Sequence, residues 1–284
     1  MRIAVVGAGK VGTAVAVLLR RAGHRIVAVS GGAATRGRAG SHLPDVPFVE
    51  PAEAAAAAEL LLIGTPDDAI ASVAAEAASA IRPETWVAHL SGSLGLDALE
   101  PVRAAGARRL AIHPLQTVPD VGTALERLPG SWIAITADDD EGYGLGERIA
   151  HDLHGRPFRL PDELRPLYHA AAVFASNFVV AASAVAEELF AVAGVPDPRT
   201  AMTPLQQATL ANVERSGPAA LTGPAVRGDA GTIGRNLEAL KQHAPEAVAL
   251  YVALARATLD LADRSGRLAP GARRHVEEVL DAWS

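Results

Sequence analysis

The sequence predicts an α/β protein in two parts. A doubly wound, mostly parallel sheet occupies residues 1–158 and an all-helical region occupies residues 159–284. Three observations predict this. An apolar run at residues 3–6 leads at once into a glycine turn and an amphipathic stretch. Short apolar runs then alternate with helical patterns as far as about residue 160. Beyond that point helical periodicity continues alone.

The first stretch is the most specific. Residues 3–6 suit a buried parallel strand. Gly7, Gly9 and Gly12 follow in a GxGxxG spacing, and residues 10–22 place Val11, Val15, Leu18 and Leu19 on one helical face. Gly23 ends that helix and residues 26–29 form a second strand. The unit has the length of a dinucleotide-binding βαβ motif, about 30 residues. Gly7 permits the tight turn, Gly9 lets backbone approach a pyrophosphate, and Gly12 lets the helix pack on the strand. Gly7, Ala8, Gly9, Lys10, Val11 and Gly12 therefore make the expected phosphate cradle at a helix N-terminus.

The end of the second strand bears on the cofactor. Units specific for NAD carry Asp or Glu there, which would repel a 2′-phosphate. This chain has Ser30, then Arg36 and Arg38. A hydroxyl and two guanidinium groups favour NADP over NAD. The alternative for the two arginines is an ordinary solvated loop.

Residues 46–49 are a candidate short strand and 51–59 an alanine-rich helix. Residues 60–64 are an apolar strand followed by Thr65-Pro66-Asp67-Asp68. Ligands in such sheets sit beyond the carboxyl ends of strands, so Thr65 and Pro66 are expected to line the cofactor crevice. Asp67 and Asp68 are expected to act as helix caps alone. Strands at 86–90 and 109–112 end in Ser91-Gly92-Ser93 and His113-Pro114-Leu115-Gln116-Thr117. A strand at 132–136, a helix at 141–153 and a strand at 157–160 complete the sheet region. Helices are expected at 166–193, 199–215, 229–243, 246–264 and 271–282. Residues 170–186 carry no charge. The run is alanine-rich and short for a membrane span, so a helix buried on all sides is expected.

Chemistry is expected at the strand ends. His113 is the only ionisable group of its turn and suits proton exchange, with Ser91, Ser93 and Gln116 to orient a substrate oxygen. The alternative is a histidine that only caps its strand. His169 and Ser176 lie seven residues apart on nearly one helical face, with Asn177 one step round. Such groups either meet a substrate or pair internally. Arg227 is a candidate clamp for an acidic group, and Asp229 a helix N-cap. Its Arg-Gly-Asp tripeptide carries no adhesion reading without disulfides.

The chain has 284 residues, a formal net charge of −6 and no cysteine. Disulfides and thiolate sites are excluded and no metal site is expected. No basic patch dominates, so nucleic acid is not an expected partner. The N-terminus enters the first strand directly, from which a cytoplasmic location is expected.

The runs HLSGSLGLDAL at 89–99, IHPLQTV at 112–118, YHAAAVFASNFVVA at 168–181 and LTGPAVRGDAGTI at 221–233 resemble the Rossmann-like proteins whose helical C-terminal domain is catalogued as domain of unknown function 2520. That family is similar in layout to 6-phosphogluconate dehydrogenase-like reductases, which include 3-hydroxyacid dehydrogenases, ketopantoate reductases and pyrroline-carboxylate reductases. The resemblance implies an NADP-dependent oxidoreductase acting on a small carbonyl or imine substrate, and a homodimer formed through the helical domain. Many 3-hydroxyacid dehydrogenases carry a lysine four residues before an asparagine on the long helix. Here Asn177 is preceded at that distance by Val173. A non-catalytic NADP-binding regulator or scaffold is therefore the competing expectation. His113-Pro114 after a serine-bearing turn is similar to prephenate dehydrogenases.

Overall fold

The computed structural model describes residues 1–268 and 271–283. Seven strands form one sheet: β1 (Arg2–Val6), β2 (Arg25–Ser30), β3 (Leu60–Ile63), β4 (Trp86–His89), β5 (Arg108–Pro114), β6 (Trp132–Ala137) and β7 (Arg156–Arg159). Their order is β2-β1-β3-β4-β5-β6-β7. Neighbours run parallel except β5 and β6, which are antiparallel. The expected strand at 46–49 is reduced to one bridge, Val29 to Phe48. Pro47 accepts from the Val29 N–H but has no N–H to return, so a ladder cannot extend.

Alternate residues of the strands feed two cores. Ile3, Val5, Leu60, Leu62, Leu110, Ile112, Ile133 and Ile135 face α1 (Lys10–Arg21), and the later helices α6 (Val121–Arg127) and α7 (Asp140–Asp152). Between them in sequence lie α2 (Ala33–His42), α3 (Pro51–Ala57), α4 (Asp67–Ala78) and α5 (Glu100–Ala104). Ala4, Val6, Leu61, Ile63 and Val87 face α3, α4 and α5 on the other side. The chain thus winds both ways from β1, and the β1/β3 boundary is the topological switch point where a crevice opens.

After the sheet come α8 (Arg165–Ala175), α9 (Asn177–Val192), α10 (Pro198–Ser216), α11 (Pro224–Arg227), α12 (Ala230–His243), α13 (Val248–Arg264) and α14 (Ala272–Asp281). The continuous helix expected at 166–193 is broken. Ser176 adopts φ −130° and ψ −69°, which interrupts the helical ladder. Nor is that segment buried: no residue of α9 is buried, and of α8 only Arg165. Residues Asp162–Val192, whose most apolar 18-residue window has mean hydropathy 1.6, are long and apolar enough to cross a membrane by length and composition alone.

The chain divides into two compact units, Met1–Asn177 and Phe178–Ser284. The sheet ends at Arg159, but α8 stays with it. Within the second unit Ile233, Leu237, Val252, Leu259, Val276 and Leu280 form the core of α12, α13 and α14. Asp229 caps α12 as expected, accepting from the Thr232 N–H at 2.9 Å.

Candidate functional site

The glycine turn after β1 is built as its spacing demands. Gly7 has φ +76°, and a Cβ there would lie 2.5 Å from the Thr65 backbone nitrogen. A Cβ on Gly12 would lie 2.8 Å from the Gly7 carbonyl oxygen. Gly9 precedes α1 without a side-chain cap, so the first N–H groups of that helix remain open to an anion. The Gly7 and Ala8 N–H groups are turned inward and donate to the Ser30 carbonyl. Across the crevice the Thr65 hydroxyl is buried without a hydrogen-bond partner among the described residues. Arg38 reaches back to donate to the Ala8 carbonyl at 3.4 Å. Arg36 stacks over Phe48, 4.1 Å from the ring centre. Ser30 is buried, 2% exposed, so of the three residues read as phosphate ligands only the arginines reach solvent. An open helix N-terminus, an unpartnered hydroxyl and two cations fit the phosphates of a dinucleotide.

One strand further along, the β4 turn is tied to the start of α4. Asp67 Oδ2 accepts from the Ser91 hydroxyl at 2.8 Å and from the Ser93 hydroxyl at 2.7 Å. Ser91 Oγ also accepts from the Ser93 and Leu94 N–H groups. Both serines donate to a carboxylate, so neither has a proton left for a substrate oxygen. Asp67 was expected only to cap; instead it fixes this turn, while Pro66 occupies the N-cap position.

The far end of the site is closed by α8. Asp162, in the turn before it, accepts from the Leu96 N–H at 3.0 Å. Arg165 is fully buried and donates to the Ser91 and Leu94 carbonyls and, at 3.0 Å, to the Thr136 hydroxyl. Among the described residues no carboxylate pairs with it within 4.0 Å. Burial lowers its pKa from the usual arginine value. The next turn of α8 brings Tyr168 and His169 over the end of β5. Nδ1 of His113 and the Tyr168 hydroxyl share a 2.9 Å hydrogen bond. A Cβ on Gly92 would lie 2.8 Å from Nε2 of His113 and 2.9 Å from Nδ1 of His169. The glycine therefore lets both imidazoles close over the main chain. Nδ1 of His169 is buried without a hydrogen-bond partner among the described residues.

The electrostatics follow from burial. Desolvation, and then the Arg165 charge, push His113 down to about 4. His89, fully buried with Nε2 3.1 Å from the Gly95 carbonyl, is pushed to about 4 for the same reasons. Burial raises Tyr168 to about 12, against the pull of Arg165. At neutral pH His113 is therefore held uncharged.

The structure thus brings Thr65, Ser91, Ser93, His113 and His169 to one edge of the sheet. Gln116 is engaged elsewhere: its amide donates to the Arg127 carbonyl at 3.4 Å and to Ser131 at 3.3 Å. Ser176 and Asn177 fall at the break between α8 and α9, so the face they were expected to share with His169 does not exist. Arg227 is exposed at the end of α11, in the second unit. Asp67, His89, Arg165 and Tyr168 lie among these groups although no role at the site was expected of them. His89 and Tyr168 open two of the family-like runs and Asp67 follows a strand end, whereas Arg165 carried no signal beyond its proximity to His169 in sequence.

Fold and site together define an α/β protein with a dinucleotide-type crevice, its polar residues spread along the carboxyl ends of β1, β3, β4 and β5. Residues 1–114 match the family model described as a Rossmann-like domain, and residues 131–258 match the Domain of unknown function (DUF2520). The chain belongs to the Rossmann-like proteins that carry this second domain. None of the curated proteins matches the sequence. Among solved structures, a Bacteroides fragilis protein provisionally described as an NADP oxidoreductase is 27% identical, with TM-score 0.77 over 91% of this chain and 98% of its own. A Thermotoga maritima protein is 21% identical, with TM-score 0.72 over 93% and 100%. A pyrroline carboxylate reductase from Plasmodium falciparum, solved with NADP bound, is 12% identical, with TM-score 0.57 over 92% and 98%. The last two likenesses concern the fold.

Proposed function

We propose that this protein is an NADP-dependent reductase of a small carbonyl or imine compound. The observation that carries the reading is the unbroken run of site groups along the sheet edge. The glycine turn meets Thr65; Asp67 beside Thr65 holds the Ser91–Ser93 turn; Gly92 in that turn meets His113 and His169. Arg36 and Arg38, with no acid at the end of β2, support NADP over NAD. The NADP named for two of the solved relatives supports the same choice. When bound, the cofactor supplies hydride, and the chain's residues must stabilise the charge that develops on the substrate oxygen or nitrogen. This reading assigns that role to Nε2 of His113, with His169 beside it across Gly92.

NADPH is expected to bind more tightly than NADH by about 1–3 kcal/mol, measured by fluorescence titration, and Arg38→Ala should narrow the gap. Equal affinities would overturn the cofactor assignment. A hydride-transfer screen of NADPH with oxo acids and cyclic imines tests the reaction. Val173, standing where related dehydrogenases carry lysine, favours a second reading, an NADP-binding regulator without turnover. A blank screen with intact NADPH binding would support it.

A further inference from the structure

We propose that Tyr168 is a positioning residue that locks His113 in its Nε2–H tautomer, so that the site presents one fixed hydrogen-bond donor beside the unpartnered Nδ1 of His169. This rests on the reading that His113 lines the reductase site, but it is argued from hydrogen-bond supply alone. Among the described residues the Tyr168 hydroxyl has one partner, Nδ1 of His113. If His113 donated from Nδ1, the phenolic proton of a half-buried tyrosine would have no acceptor among the described residues. If Tyr168 donates, its proton is satisfied and the imidazole proton must sit on Nε2. Burial weakens the phenol as an acid, and the Arg165 guanidinium, buried at the start of the same helix, pulls the other way, toward donation.

The remaining groups around His113 do not compete for Nδ1. Asp67 is taken up by Ser91 and Ser93. His89 is held on the Gly95 carbonyl. Among the described residues Arg165 donates to two carbonyls and to Thr136. His169 faces the Nε2 side across Gly92. Packing reinforces the geometry: the Tyr168 ring lies 5.5 Å from His113 at 85°, and 5.9 Å from Phe158. Nε2 of His113 has no partner among the described residues. A substrate group facing Nε2–H must offer it a lone pair, as a carbonyl oxygen, a hydroxyl oxygen or an imine nitrogen does.

The test needs neither cofactor nor substrate. Long-range proton–nitrogen NMR of the full chain, with ¹⁵N-labelled histidine, reads the tautomer directly, and His113→Gln assigns the signals. A protonated Nε2 and a bare Nδ1 on His113 at neutral pH are expected. In Tyr168→Phe, which keeps the ring packing, the Nδ1–H form should appear and the His113 titration should move to higher pH, because the hydrogen bond that opposed protonation of Nδ1 is gone. An Nδ1–H tautomer in the natural sequence overturns the proposal, even if the variant does not fold. So does an unchanged His113 in a folded Tyr168→Phe. Failure of the turnover screen leaves these readings intact, so the two proposals fail separately.

Discussion

Gly92 is the residue on which the site closes, and its side chain is a single hydrogen because two imidazoles occupy the space a methyl group would need. Gly92→Ala should cost about 1–3 kcal/mol of stability by overpacking. It should also lower turnover at least about tenfold by displacing His113 or His169, with NADPH affinity near that of the natural sequence. Denaturation, steady-state rates and cofactor titration together check this. His89 and His113 make a second prediction. Both are held neutral in the folded state, at about 4 against the ordinary 6.5. Between those values the unfolded chain binds more protons than the folded one, so these groups make stability fall as pH drops from 6.5 to 4. The slope should approach two protons, measured by urea denaturation across that window, and His113→Gln should reduce it by about one. The glycine turn was legible at this scale because a fixed spacing demands it. Asp67 was not: an aspartate after Thr-Pro reads equally as a cap, and only the fold shows the two serines donating to it.

At the scale of elements, the strand and helix alternation followed from apolar period alone, because parallel strands buried on both faces leave nearly continuous runs such as Leu60–Ile63. The helix at 166–193 was misread for a physical reason. An apolar, alanine-rich stretch says that surface must be covered, not that the same chain covers it. Nor does sequence reveal that α8 is held by a buried charge. Arg165 sits in a polar stretch, Asp162 to Arg165, that reads as a solvated helix start. Arg165→Met leaves the Ser91 and Leu94 carbonyls and the Thr136 hydroxyl without their donor, at a cost of about 3 kcal/mol or more. Limited proteolysis should then cut near residues 160–176 before the sheet is attacked. Where the variant stays folded, removal of the guanidinium should let His113 titrate at higher pH.

Across the whole molecule, the second unit leaves Val180 and Val192 of α9 and Leu205, Leu210 and Val213 of α10 exposed at 50–68%. We propose that a second copy of the chain covers this apolar surface, as the family likeness implied. The break at Ser176 divides the apolar segment into two helices, and Ser183 and Gln206, hydrogen-bonded at 2.7 Å, set a polar pair between α9 and α10. Light scattering at micromolar concentration should give a dimer, and Val180→Asp with Leu205→Asp should give a monomer with the sheet unit intact by circular dichroism. A monomer of the natural sequence would overturn this, and partition into detergent or vesicles would instead favour a membrane surface. Finally, the bonds from Arg165 to Leu94 and Ser91 span 71 and 74 residues of chain. Contacts of such separation carry a loop-closure cost that must be offset before they form. We expect α8 to be the last piece of the site to assemble and the first to open in the native ensemble. Its amides should exchange with deuterium through local openings well before those of β1 and β3, which lie at the centre of the sheet.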